Sequence, residues 1–438
     1  MKEKRGDRKD VGAEDRRPQF DDPGTKARQK KVQIVKREDA ERVVPFLSHL
    51  PQYAPHSDSV VGQHTGVMPT AVVKVGAKYA HGSIRGSSAR TAAFGEALSE
   101  VIQSFSLSAT SSASTRPNDA SLDESSAASR DFRRELDKEI KRCVQFVIDC
   151  RQMSIFMGNF VRHVRAHIST LPADISEHEA RLNLLKFMQE YMNSKLFMAF
   201  KTVALVASER AVTDGDVIMT VGRSAIVERA LVDAARYGKR FRVMILESRP
   251  HTDGLISARI LNSAGIRVEY GLISAASYLL PEASKVLIGA HGIFSNGAVL
   301  SRVGTAAVAA LANMQRTPVI VACESSKFSE RVQLDALCFN ELGDADALLV
   351  NSRERTKSSV QSDPAGNSHS GKKKGASEHS KHSNSMDALG PDWRSESEGL
   401  NLLNLLYDLT PIDLIDAVIT DVGVIPASSV PIVLSGHT

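Results

Sequence analysis

The four cysteines of this 438-residue chain, Cys143, Cys150, Cys323 and Cys338, are too few and too scattered for a disulfide framework or a CxxC zinc site. No apolar run approaches the ~20 residues needed to span a bilayer, and the amino terminus lacks an apolar signal core. These absences point to a reducing cytosol and away from a membrane. The chain also lacks a G-x-S-x-G elbow and an H-E-x-x-H helix, so hydrolase and metalloprotease chemistry have no parts to work with. The tract Gly366-Asn-Ser-His-Ser-Gly-Lys-Lys373 nearly matches a nucleotide phosphate loop. However, Lys373 stands where a magnesium-binding Ser/Thr is required, and no strand or apolar helix flanks it. His369, His379 and His382 nearby could bind metal but read as a solvated linker, so no cofactor or metal is expected.

The length exceeds that of a usual single domain, which predicts two folded units plus disordered segments. The net charge is +4, and residues 1–31 hold eleven Lys/Arg against seven Asp/Glu, so the whole excess lies in that tail. A basic tail can attract phosphate, but Phe20 is its one aromatic and no stacking pattern accompanies it, so no direct nucleic-acid contact is expected. Residues 1–40 read as a disordered basic tail. The Ser/Ala-rich tract at about 107–129 reads as a loop. Residues 351–399, rich in serine with near-balanced charge, read as a linker insertion.

What remains divides by periodicity. Between 41 and 206, apolar residues recur at three- and four-residue spacing, as in Cys143, Phe146, Val147 and Cys150, and in Leu182, Leu185, Met188, Met192 and Leu196. This predicts a helical domain interrupted at Gly82–Ser88 and at Pro172. From 213 to 350 short β-rich runs alternate with helices. Strands are expected at Val217–Val221, Arg242–Leu246, Val268–Ile273, Val286–Ile288 and Val319–Ala322, with helices at Ala225–Arg236 and Leu255–Ala264. Such alternation predicts an α/β, Rossmann-like doubly wound parallel sheet with ligands at the carboxyl ends of its strands. Residues 400–438 should rejoin this domain, with a final helix and one more strand over Leu400–Ile425.

In that architecture Gly222, Arg223 and Ser224 form the turn after the first strand, where Ser224 could cap the next helix and free backbone N–H groups could attract an anion. The alternative is a plain tight turn. Arg249 ends the second strand and suits bidentate contact with phosphate, or a structural ion pair. His291 ends the fourth strand, Asn296 and Gly297 make the turn beneath it, and Arg302, after Ser301, begins a helix. Arg85 and Gly86 from the helical half would complete the same cleft. Aldose–ketose isomerisation needs a proton donor and a proton acceptor on either side of the substrate carbons. Gly222 has no side chain, His291 stands alone, and no paired carboxylate is evident, so no catalytic residue is assigned.

Several longer tracts carry a resemblance. They are Val44-Pro-Phe-Leu-Ser-His-Leu-Pro-Gln-Tyr53, Phe241-Arg-Val-Met-Ile-Leu-Glu-Ser-Arg-Pro250, Ala275-Ala-Ser-Tyr-Leu-Leu-Pro281, Ile288-Gly-Ala-His-Gly-Ile-Phe-Ser-Asn-Gly297, Cys323-Glu-Ser-Ser-Lys-Phe-Ser-Glu-Arg-Val332 and Leu405-Leu-Tyr-Asp-Leu-Thr-Pro411, then Val424-Ile-Pro426 and Ser429-Val-Pro-Ile-Val-Leu434. In this order the chain resembles the family that unites the alpha, beta and delta regulatory subunits of translation initiation factor 2B with methylthioribose-1-phosphate isomerase and ribose-1,5-bisphosphate isomerase. The delta branch is the nearest pattern. The resemblance implies that a catalytic cysteine is missing at Gly222 and a catalytic aspartate at His291. It also implies that Ser301 and Arg302 replace an Asn-Lys pair that contacts substrate.

It further implies a cytosolic regulatory subunit of a decameric guanine-nucleotide exchange factor. Its partners would be the beta subunit, the alpha dimer, gamma and epsilon, and it would help sense the phosphorylated alpha subunit of initiation factor 2. The basic cluster Arg162, His163 and Arg165 would be a candidate contact for that phosphate, or a solvated helical face. The run Val422–Leu434 would be an interface contributor or a core strand. The alternatives within the same fold are a sugar-phosphate isomerase and a sugar-phosphate or nucleotide sensor.

Overall fold

Three- and four-residue apolar spacing becomes helix throughout the first half of the chain. The computed structural model describes residues 45–47, 49–50, 68–106, 132–172, 175–349 and 400–435. The basic tail, the 107–129 loop and the 351–399 linker lie outside these residues. So do the near phosphate loop and the three linker histidines.

Helices α1 (Thr70–Ala80) and α2 (Ser87–Ser104) flank the Gly82–Gly86 interruption, and both glycines have positive φ. α3 (Phe132–Cys150) buries Leu136, Ile140, Cys143, Phe146, Val147 and Cys150 on one stripe. α4 (Ile155–Thr170) starts where the Ser154 hydroxyl accepts the Met157 amide, and it ends just before Pro172. α5 (Glu177–Tyr191) begins with Ser176, which accepts the Glu179 amide and donates to its carboxylate. It continues through a π-helical stretch, Met192–Met198, into α6 (Ala199–Arg210). Phe94, Leu98, Ile102, Leu136, Ile140, Phe156 and Phe160 fill the helical core.

Alternation then takes over. The strands are β1 (Val217–Val221), β2 (Arg242–Glu247), β3 (Arg267–Leu272), β4 (Lys285–Gly289), β7 (Val319–Ala322), β10 (Ala417–Thr420) and β11 (Gly423–Ile425). They form one seven-stranded sheet in the order β11-β10-β7-β4-β1-β2-β3, parallel except for the last hairpin. α7 (Ala225–Arg236) and α8 (Asp253–Ser263) cover one face together with α6. α9 (Ala276–Leu279) and α10 (Thr305–Met314) cover the other.

The pleat sorts the residues between the two faces. Val243 and Ile245 join the core under α6 and α7, while Met244 and Leu246 join the core under α10. Leu287 likewise faces one way, and Val286 and Ile288 the other. A smaller sheet, β8-β5-β6-β9, consists of β5 (Gly292–Phe294), β6 (Val299–Arg302), β8 (Phe328–Ser329) and β9 (Tyr407–Thr410). It lies between the large sheet and α4.

Two sequence expectations are corrected here. Leu400–Ile425 does not form a helix. It holds β9, a short 3-10 turn at Ile412–Leu414, β10 and β11. Tyr407 and Leu409 are buried with Asp408 between them, and Pro411 cannot continue a helix. The β-branched Val418, Ile419 and Thr420 suit a central strand. Val422–Leu434 is likewise no core strand. It supplies edge strand β11 and helix α11 (Val430–Ser435), leaving Val422, Val424 and Ile432 exposed.

The helical half and the sheets together form one compact unit. Asn159 of α4 donates to the carbonyls of Ser326 and Phe328, and Ser326 donates to the Lys195 carbonyl. Arg151, at the end of α3, meets Glu341 in a buried ion pair.

Close helix approach gives a first prediction. A Cβ on Gly76 of α1 would lie 2.5 Å from Phe146 Cε1 and 2.9 Å from Cys150 Sγ of α3. Gly76→Ala should therefore destabilise the fold by about 1–3 kcal/mol through overpacking, despite the better helix propensity of alanine. Urea unfolding measures the sign, and an unchanged or raised midpoint would contradict this packing.

Candidate functional site

In an open parallel sheet, ligands bind where strand order reverses. Here β1 is followed by β2 and β3 on one side and by β4 on the other, so the switch point lies between β1 and β4. The turn after β1 reaches it through Gly222, whose φ of 59° favours glycine and whose amide donates to the Leu246 carbonyl at 2.7 Å. That amide is thus occupied and is not itself available to an anion.

Ser224 stands at the N-cap of α7 but makes no side-chain cap bond. Its hydroxyl instead packs against Gly289 at the end of β4, so closely that a Cβ on Gly289 would fall 2.0 Å from the Ser224 Oγ. Ser301 donates to the Gly289 carbonyl at 3.2 Å. Gly222, Ser224, Gly289 and Ser301 therefore close the switch point with short side chains.

Beside them lies a charged group that the sequence reading missed. Glu247, the last residue of β2, is buried and accepts the amide of Gly254. Burial pushes its carboxyl up to about 7, and neighbouring Asp253 adds to the rise, while the Gly254 amide and Arg302 oppose it. Asp253 is bound by Arg85 from the turn between α1 and α2, and lies 3.8 Å from Arg302. Two carboxylates thus stand in a cleft where none was expected. Its signal in the sequence is its place at the carboxyl end of a strand, two residues before Arg249.

Arg302 ends β6 rather than starting a helix, because α10 begins only at Thr305, after Gly304 with φ of 95°. Its guanidinium lies over the Tyr407 ring.

His291 follows β4, and its amide donates to the Leu300 carbonyl. Its ring packs 4.5 Å from that of Tyr407. Burial holds the imidazole well below its ordinary range, and Arg90, Arg302, Lys327 and Arg151 press in the same direction. His291 is therefore a neutral ring among cations, with no hydrogen bond to either ring nitrogen among the described residues.

The strand end at Glu324 adds a second buried carboxylate. It is paired with Lys327 at 2.6 Å and receives the Ser88 hydroxyl at 3.2 Å. Asp408, also pushed up to about 7 by burial, accepts the Ala306 amide at the start of α10.

Arg85, Gly222, Ser224, Ser301 and Arg302 are brought to the cleft, with His291 at its edge and Gly86 heading α2 beside Arg85. Arg223 turns outward to Glu228. Arg249 is exposed, with no ion pair among the described residues. Asn296 and Gly297 sit at the far end of the β5–β6 hairpin. There Asn296 donates to the Gln333 carbonyl and Gly297 abuts Ile412 and Ala427. These four do not join the cleft: Arg223 and Arg249 are exposed, and the hairpin carries Asn296 and Gly297 away from the strand end that holds His291. Arg165 and His163 are engaged by Asp137 and by the Asn159 carbonyl, whereas Arg162 reaches Glu330 only at 3.4 Å.

The arrangement offers two carboxyls pushed up to about 7, Glu247 and Asp408, and one imidazole held neutral. Nothing on Gly222 can face Glu247 as a second proton carrier. Among the described residues no cluster of three or more metal-ligating side chains exists, and no helix is long and apolar enough to cross a membrane.

Comparison with known proteins follows the same lines. Residues 84–427 match the model of the Initiation factor 2 subunit family. The chain is 34% identical over 423 residues to translation initiation factor eIF2B subunit delta of Dictyostelium discoideum, covering 95% of this chain and 60% of that protein. The chain therefore spans less than two thirds of that relative. It is 29% identical to ribose 1,5-bisphosphate isomerase of Pyrococcus furiosus, with 67% of this chain and 78% of the other covered. Among solved structures, a chain of the tetrameric eIF2B-beta2-delta2 complex from C. thermophilum superposes with a TM-score of 0.65 at 26% identity, covering 88% of this chain and all of that one.

Glu247 makes the site testable by stability alone. A carboxyl raised by folding from 4.5 to about 7 binds its proton more tightly in the native state. Its favourable contribution is present below about pH 4.5 and is lost as pH rises through 7, an effect of up to about 3 kcal/mol. Glu247→Gln should remove that slope and be more stable than the parent at pH 8, relative to pH 5. Denaturant titrations at the two values decide it, and identical pH profiles for parent and variant would show that the carboxyl is not perturbed.

Proposed function

Because the chain belongs to the Initiation factor 2 subunit family, we propose that it is a delta-type regulatory subunit of the guanine-nucleotide exchange factor for translation initiation factor 2. In this reading it is a scaffold without chemistry of its own. It pairs with a beta-type subunit, meets the alpha dimer, and leaves exchange to epsilon and gamma. Its helical half helps sense the phosphorylated alpha subunit of initiation factor 2, in the cytosol.

The observation that carries this reading is the state of the cleft. The positions expected to hold a catalytic cysteine and aspartate hold Gly222 and His291. The space is taken up by Ser224 against Gly289 and by the Arg85–Asp253–Arg302 cluster. Assembly is further supported by apolar side chains left in water on the sheet domain. Tyr278 is 83% exposed and follows exposed Leu272 at the end of β3, while Ile432, 71% exposed, follows exposed Val422 and Val424 around β11 at the other edge of the sheet. Obligate interfaces bury such groups over areas on the order of 2,000 Å² or more.

A second reading, sugar-phosphate isomerase, draws support from Glu247, whose carboxyl titrates near neutrality as a general base should. It lacks a partner group across the cleft. Co-expression with a beta-type subunit and mass measurement should give a heteromeric assembly, and the purified chain should show no turnover of ribose 1,5-bisphosphate. A solitary monomer would sink the subunit reading. Turnover abolished by Glu247→Gln would establish the isomerase.

A further inference from the structure

A second, more open space lies away from the switch point. It is a cavity of about 410 Å³ between α4 and the small sheet. Of the cleft residues, only His291 borders it, and none of Gly222, Ser224, Asp253 and Arg302 does. Part of its wall is apolar, with Ile155 from α4 facing Phe294 and Leu300, and part is polar, with Asn159, Asn340 and the Glu341 carboxylate. Arg162 and Arg331, both exposed, stand at its mouth, and Arg90 is deep within it at 2% exposure.

The charges there do not cancel. Arg90 and Arg151 lie on the Tyr79 ring, 5.0 and 5.5 Å from its centre. The one buried carboxylate of the group, Glu341, is held by two nitrogens of Arg151. Arg90 is left with a 3.3 Å bond to the Tyr79 hydroxyl and an Nε without any partner. Tyr79 gives Arg90 no negative charge, because burial pushes its phenol up to about 12 and its proton goes to the Gln152 carbonyl.

Glu341 also borders this space, but one carboxylate shared by two buried guanidiniums leaves Arg90 under-compensated, which protein interiors rarely retain. Two further groups bordering the same space, the His291 ring and the Tyr407 hydroxyl, make no hydrogen bond among the described residues. A fixed cation, two uncommitted polar groups and an apolar wall converge on one volume, as in a small-molecule site.

We propose that this cavity binds a small organic anion whose carboxylate or phosphate seats on Arg90, His291 and Tyr407, and whose apolar body lies against Ile155, Phe294 and Leu300. The guanidinium supplies a charge-assisted contact for either head group. The apolar wall selects against bare inorganic ions. The site does not depend on the subunit reading.

Phenyl phosphate titrated into the full-length chain by calorimetry should bind saturably, one per chain, and at least tenfold more tightly than inorganic phosphate. Gly158 lines the cavity, and a Cβ there meets nothing within 4 Å, so Gly158→Trp should fill the space while the melting temperature is kept. That variant should weaken binding at least tenfold. Arg90→Gln should do the same wherever its melting curve shows a folded protein, while Arg85→Gln in the neighbouring cleft should leave binding unchanged. Four outcomes would overturn the proposal: no saturable binding, equal affinity for inorganic phosphate, binding that survives Gly158→Trp, or binding lost with Arg85→Gln.

Discussion

The ion pair between Arg151 and Glu341 fixes where everything near the site can lie. Both side chains are almost wholly buried, one at the end of α3 and the other in the segment that leads away from the small sheet. Two charges removed from water in this way gain little net stability from each other, but separating them would strand a charge in the interior at a cost of about 3–5 kcal/mol. The pair therefore acts as a register pin. The helical half docks on the sheets in the arrangement that brings Arg151 to Glu341, and that docking carries Arg85 to Asp253, Ser88 to Glu324 and Asn159 to the Ser326 and Phe328 carbonyls.

Within that frame the cleft is closed by small residues rather than by large ones. Gly222, Gly254 and Gly289 each allow a neighbour to approach where a methyl group would intrude or strain the backbone. The neighbours are the Glu247 carboxylate and the Ser224 hydroxyl. A catalytic crevice of the same fold must hold its substrate between charged groups that stay available. Here Asp253 is shared by two arginines, and the Glu247 carboxyl accepts a backbone amide. Most of the charge in the cleft is thus engaged by a neighbouring side chain or by the backbone.

Local periodicity made much of this legible before any coordinates. β1 and β7 begin and end where the apolar runs Val217–Val221 and Val319–Ala322 do, and α7 matches Ala225–Arg236. These elements are buried by their own pattern, so the pattern is sufficient. The reading failed where partners are distant in the chain. The leucine-rich stretch from Leu402 to Leu406 looks helical in isolation, but Tyr407–Thr410 pairs with β6 roughly a hundred residues earlier, and that pairing decides its conformation. The cleft suffered in the same way. Arg85 and Asp253 are 168 residues apart, and Arg151 and Glu341 are 190 apart, so no window of sequence contains either pair. Asn296 and Gly297 were rightly read as a turn, but on a hairpin that faces away from His291.

His291 ties the two spaces together through charge. The resemblance to the isomerases implies an aspartate at this position, and an aspartate here would give Arg90, Arg151, Arg302 and Lys327 a shared anion. A histidine cannot take over that role. Adding its own proton would place a fifth positive charge among these four, so burial and the neighbouring cations hold it neutral. Arg302 finds Asp253, Lys327 finds Glu324 and Arg151 finds Glu341. Arg90 is the one of the four left with no carboxylate. Glu341 borders the cavity as well, but two nitrogens of Arg151 take it up, so Arg90 keeps an Nε without a partner. With a histidine at 291, the buried charges around this cavity are two arginines, Arg90 and Arg151, against one carboxylate, Glu341.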